Sequence, residues 1–153
     1  MKTEDKLVDR LKLLWGELTD TELPQSVAHK FLYSAVDEVE GVDFPSDTQY
    51  HWDDTNAKIV FDTEPSIASQ VLYVYKALIL LGQSKEGRAI MDGGGITWRS
   101  GVNSISTDGQ SIAFRDRRKQ IVNIYNDLLG RARLNKLNVD IGELIVTYNG
   151  RLE

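Results

Sequence analysis

The stretch 66–81, SIASQVLYVYKALILL, constrains the fold of this chain more than any other part of it. Pro65 opens a helix there, and Ile67, Ala68, Val71, Leu72, Val74, Tyr75, Ala77, Leu78, Ile79, Leu80 and Leu81 put apolar side chains on nearly every face. A helix that is apolar all round has to be buried on most sides. The stretch therefore predicts the central rod of a small bundle, with Gly82 ending the tight pattern and a polar helical turn or two reaching toward Asp92. If the chain's own elements leave the rod open, a second copy has to cover it. The longest apolar run, 71–81, contains Lys76 and falls short of the ~20 residues that a membrane span requires.

Two amphipathic helices precede the rod. Over 3–18, Thr3 is placed to cap, Glu4 and Asp5 suit the positive end of the helix, and Leu7, Leu11, Leu14, Trp15 and Leu18 recur at helical spacing. The second helix is expected from Pro24 to Glu40, with Gly41 as its stop and Val27, Ala28, Phe31, Leu32, Ala35, Val36 and Val39 as its core stripe. His29, beside that stripe, reads as a surface or capping residue rather than a ligand. Between 41 and 64 the pattern becomes extended, and Tyr50-His51-Trp52, Asp53-Asp54-Thr55-Asn56 and 58–61 predict a hairpin with a four-residue turn. His51, Asp53 and Asp54 have metal-binding chemistry, but the Asp-rich string is also what a turn needs for its own hydrogen bonds, and no second histidine lies nearby.

After the rod, the stretch 93–114 has almost no helix formers. Gly93-Gly94-Gly95 lacks the Gly-Lys-Ser/Thr of a phosphate loop and reads as a hinge. Asp108-Gly109 is a type I′ hairpin signal, which places Ile105 opposite Ile112 on one face and Ser106 opposite Ser111 on the other. This is a polar arm with too little apolar surface for a core of its own, expected to become fixed between subunits on assembly. The fourth helix is expected over 115–137, with Ile121, Tyr125, Leu128 and Ala132 on one side and Val122 and Leu129 adjoining. Its first turn carries Arg115, Arg117, Arg118 and Lys119, cations that oppose the helix dipole and call for a compensating partner such as a neighbour's carboxylates or phosphates. The stretch 139–148 is β-rich and predicts a terminal strand that pairs with an earlier hairpin or another subunit.

The fold class that follows is mainly α: a bundle of about four helices, one or two hairpins around 50–62 and 96–114, and a C-terminal strand. With 153 residues, 41% of them hydrophobic and 27% charged, one domain is expected, with 93–114 as a protruding arm and 139–153 as strand and tail. The net charge of −5 is divided. Residues 1–64 hold fifteen Asp/Glu against six Lys/Arg, whereas 115–136 hold seven Lys/Arg against two Asp. Solvated helix faces explain such a division, and so does head-to-tail association of copies. The chain has no cysteine and two isolated histidines, which leaves no assignable nucleophile, base or metal, so no enzymatic activity, cofactor or metal is expected. The opening residues do not read as a signal peptide, and the expectation is a soluble cytosolic protein without a membrane partner.

The order of these elements resembles that of bacteriophage head-to-tail connector proteins, also called adaptors. The similarity spans about 24–153: the apolar helix after Pro65, the arm SGVNSISTDGQSIAF, the basic-start helix and the terminal strand with its short tail. The resemblance implies a ring-forming subunit of the virion neck, assembled in the host cytoplasm, with twelve copies in related connectors. Its partners would be copies of itself, the portal protein and the next neck or tail component, with DNA only as cargo in the channel. It implies interface roles for Trp98, Arg99, Ile105, Asp108, Gly109, Ile112, Arg115, Arg117, Arg118, Ile145, Tyr148 and Arg151. The residues leave a second class open, a helical regulatory or nucleic-acid-binding protein using the cations of 115–136.

Overall fold

The computed structural model describes residues 1–84 and 116–137. Among them the chain forms α1 (Thr3–Gly16), α2 (Gln25–Glu38), a π-turn (Val39–Asp43), a hairpin of β1 (Tyr50–Asp53) and β2 (Lys58–Phe61), and α3 (Ile67–Gln83). Residues 116–137 form a further helix, α4. The protein is mainly helical, with one small antiparallel hairpin among the described residues, the class that periodicity predicts. The arm at 93–114 with its hinge and hairpin, and the strand at 139–148, lie outside the described residues.

The core forms where the apolar stripes meet. From α1 come Leu7, Val8, Leu11 and Trp15, from α2 Ala28, Leu32, Ala35 and Val36, and from α4 Ile121, Tyr125 and Leu129. All converge on α3, whose Leu72, Tyr73, Val74, Ala77, Leu78 and Leu81 are buried. Among the described residues the rod is not covered all round, however. Val71, Tyr75 and Ile79 are half-buried, and Ile67 in the first turn is 80% exposed.

Three helix boundaries differ from expectation. Thr3 does not cap α1; Lys2 holds that position, and the Thr3 hydroxyl instead donates to the Glu64 carboxylate at 2.7 and 2.8 Å, tying the start of α1 to the entry of α3. Gly41 does not stop α2. The helix widens into the π-turn, closed by the Phe44 amide donating to the Val39 carbonyl at 2.7 Å, and stops at Phe44, which Pro45 holds away from helical geometry. Helix α3 ends at Gln83, next to Gly82 where its tight pattern is expected to stop, and Gly82 is a close approach where a Cβ would sit 3.5 Å from both the Trp15 ring and the Arg118 stem. The start of α3 is as its sequence requires, since the Ser66 hydroxyl accepts from the Ser69 amide at 3.2 Å. Helix α1 ends at Gly16, short of the expected residue 18, where Gly16 (φ 144°) and Glu17 (φ 56°) reverse the chain.

The hairpin pairs Tyr50 with Phe61, His51 with Val60, Trp52 with Ile59 and Asp53 with Lys58. Asp53 Oδ1 accepts from the amides of Thr55 and Asn56, and the Asn56 side chain donates to Asp53 Oδ2, so the Asp-rich string acts as a turn. His51 Nδ1 faces Asp62 at 2.9 Å. The hairpin lies along α2, with Tyr33 edge-on to Tyr50 and Trp52, and along α3, where Phe61 stacks on Tyr73.

Candidate interaction site

Helix α4 docks on the π-turn mainly through Asp43. The Asp43 carboxylate accepts from the Tyr125 hydroxyl at 2.5 Å and from Lys76 at 3.2 Å, while its backbone carbonyl accepts from Arg133 Nε and Nη2 at 3.0 and 2.6 Å. Lys76 also pairs with Glu38 at 3.0 Å and lies over the Tyr125 ring. Burial alone would push the Asp43 carboxyl up, but donation from Tyr125 and Lys76 outweighs it and holds the group below the usual carboxylate range. Burial and the Asp43 carboxylate push the Tyr125 hydroxyl well above its ordinary value. Lys76 is drawn down by burial and up more strongly by Glu38 and Asp43, so its charge is secured. Glu40 anchors the same turn: it accepts from the Tyr73 hydroxyl and from the Ser46 amide and hydroxyl. Burial, reinforced by Glu40, pushes Tyr73 up to about 12. The wider π-turn is what lets Glu40 and Asp43 both face α3.

Beside this node runs an open groove of about 380 Å³. Val42, Asp43, Phe44 and Pro45 form one wall, and Arg133, Lys136 and Leu137 of α4 form the other. Lys136 donates to the Pro45 carbonyl at 2.9 Å and lies 5.5 Å from the Phe44 ring centre. Val42 and Leu137 are 78% and 53% exposed, so the groove has apolar rims between two cations.

Of the residues expected at an interface, Arg117 and Arg118 are described, and both are half-buried on their own chain. Arg117 Nη2 donates to the Leu14 carbonyl at 3.4 Å, one of the terminal carbonyls of α1. The carbonyl end of a helix carries partial negative charge, so α1 itself compensates part of the positive start of α4. Arg118 lays its stem over Gly82. Trp98, Arg99, Ile105, Asp108, Gly109, Ile112, Arg115, Ile145, Tyr148 and Arg151 lie outside the described residues. At about 100° per residue the cations of α4 divide between two sides, Arg118, Lys119, Arg133 and Lys136 on one and Arg117 and Arg131 on the other, and Arg131 pairs with Asp127 at 3.1 Å. Among the described residues no group of three or more His, Cys, Asp or Glu side chains could hold a metal ion, and no helix is long and apolar enough to cross a membrane.

The position of His29 corrects the surface assignment drawn from its sequence. It is 4% exposed, its Nε2 lies 3.6 Å from Asp5, and its Nδ1 has no hydrogen-bond partner. Its position next to the stripe was visible in the sequence, but the crossing of α1 over α2 that buries it was not. Burial holds the imidazole below its ordinary range; Asp5 and Glu4 act upward, Lys58 and Lys12 downward. The unfolded chain takes up this proton near pH ~6.5 and the folded chain only at lower pH, so stability is whole above ~6.5 and falls as pH drops toward the folded value. His29→Gln is expected to remove that slope, while the carboxylate-driven loss below pH ~4 remains. Urea titrations across the acidic range check this, and equal slopes between pH ~6.5 and ~5 in both proteins would contradict it.

Compared with known proteins, the chain matches no family model, no curated protein and no solved structure.

Proposed function

We propose that this chain is a structural subunit of a bacteriophage head-to-tail connector ring, which docks on the portal and links it to the next neck or tail component while DNA passes through the channel. The observation that carries the reading is the incomplete cover of α3. Among the described residues, the most apolar helix of the chain keeps Val71, Tyr75 and Ile79 only partly buried at helical spacing, as a subunit does when assembly finishes its burial. The element order on which the resemblance rests supports it further, and residues 93–114 and 139–153 are assigned the contacts to neighbours and portal on that analogy alone. The nucleic-acid reading has less support, because Arg117, Arg131, Arg133 and Lys136 engage their own chain. Coexpression with a portal protein from the same genome, followed by particle imaging, tests the proposal. A ring of this chain seated on the portal is expected. Two folded partners that fail to associate would sink it.

A further inference from the structure

Two features that the proposed function leaves unused sit at opposite ends of α2. The groove lies at its C-terminal end, built on the π-turn. The hairpin runs back along the helix: the Tyr50 hydroxyl donates to Asp37, Trp52 meets Tyr33 a turn earlier, and the charge of Lys58 reaches His29. The hairpin tip, residues 53–56, therefore lies beside the N-terminal half of α2. From 29 to 43 a helix rises about 20 Å, which separates tip and groove within one copy.

Their chemistries are complementary. The tip carries Asp53 and Asp54 side by side, with Asp54 exposed. Donation from the Asn56 side chain and amide holds the Asp53 carboxyl below its usual range, so the tip keeps its negative charge. The groove offers Arg133, with two of its five N–H donors on the Asp43 carbonyl, and Lys136, with one of its three on Pro45, so both cations retain donors. We propose that this groove receives the hairpin tip of a second copy of this chain, with Asp54 meeting Arg133 and Lys136 and the methyls of Thr55 and Ala57 resting against Val42 and Leu137. Each copy then presents one tip and one groove. Such a contact is heterologous, and it repeats around a ring when the rotation closes. It gives the opposite charges of the 1–64 and 115–136 stretches a specific meeting point.

The inference rests on the connector reading only for closure of the ring; the contact itself stands on tip and groove. The chain has no cysteine, so engineered pairs report without background. Thr55→Cys mixed with Val42→Cys at low salt is expected to give a disulfide-linked dimer that fades as salt rises, whereas Thr55→Cys mixed with Ile67→Cys is not. Asp54→Lys, at an exposed turn position, is expected to weaken self-association about tenfold, and mixing it with Lys136→Glu to restore it. A Val42→Cys yield no higher than the Ile67→Cys control overturns the inference. So does a Val42→Cys thiol that the monomer already shields from reagent, since the groove is then filled by its own chain. A ring on the portal without this crosslink would overturn the inference and leave the connector reading standing. The crosslink without portal binding would do the reverse.

Discussion

Trp15→Ala is expected to remove about 3–5 kcal/mol of unfolding free energy, the range for deleting a fully buried large aromatic side chain. Trp15 is 1% exposed, and its ring lies against Gly82 of α3, next to the Arg118 stem that starts α4. Its removal opens a cavity where three helices meet, and the glycine opposite has no side chain to fill it. Against a typical domain stability of ~5–15 kcal/mol the loss leaves little margin. Trp15→Phe keeps part of the ring and is expected to lose much less. Urea denaturation of both variants checks this ordering, and equal midpoints for Trp15→Ala and the parent protein would mean that the ring is not at the junction.

Asp43→Ala is expected to cost about 3 kcal/mol and to loosen α4 specifically. The substitution removes the acceptor shared by Tyr125 and Lys76, and leaves the buried Tyr125 hydroxyl without it and the half-buried Lys76 ammonium with Glu38. The Asp43 side chain is 21% exposed and that of Lys76 17%, so water recovers little of the loss. Because Arg133 bonds the backbone carbonyl of Asp43, that tether survives the substitution, and the change reads the carboxylate alone. Faster tryptic cleavage within 116–137 with α1 and α2 still protected is the expected result. Uniform protection across α4 would show that its three buried side chains hold it without the carboxylate. Asp43→Asn, which keeps an acceptor of the same shape, is expected to fall between the two.

Much of the fold follows from short-range pattern. Leu7, Leu11 and Trp15 of α1, and Ala28, Leu32, Ala35 and Val36 of α2, are buried as their spacing requires, whereas Leu18 is buried beyond the end of α1. The Asp-Asp-Thr-Asn turn forms the hydrogen bonds that its composition favours. In α4, Ile121 and Tyr125 are buried as expected, but Leu129 goes deeper than Leu128, because the docking angle against the π-turn rotates the stripe. What escaped the pattern was polar. Asp43 meets partners 33, 82 and 90 residues away, and nothing in the spacing of one charged residue names such partners. The acidic tip was visible in sequence, whereas the groove that complements it exists only after α4 has crossed the π-turn.

Periodicity and turn chemistry were enough to specify a helical bundle around the apolar rod, one hairpin and the inward face of each helix, since these depend on neighbours within a few turns. Packing alone decided that α2 would widen rather than stop at Gly41, that His29 would go inside, that the end of α1 would face Arg117, and that Asp43 would become the joint holding α4. Those outcomes depend on helix crossing angles, and a crossing angle is a property of two surfaces in contact, which no single stretch of chain encodes.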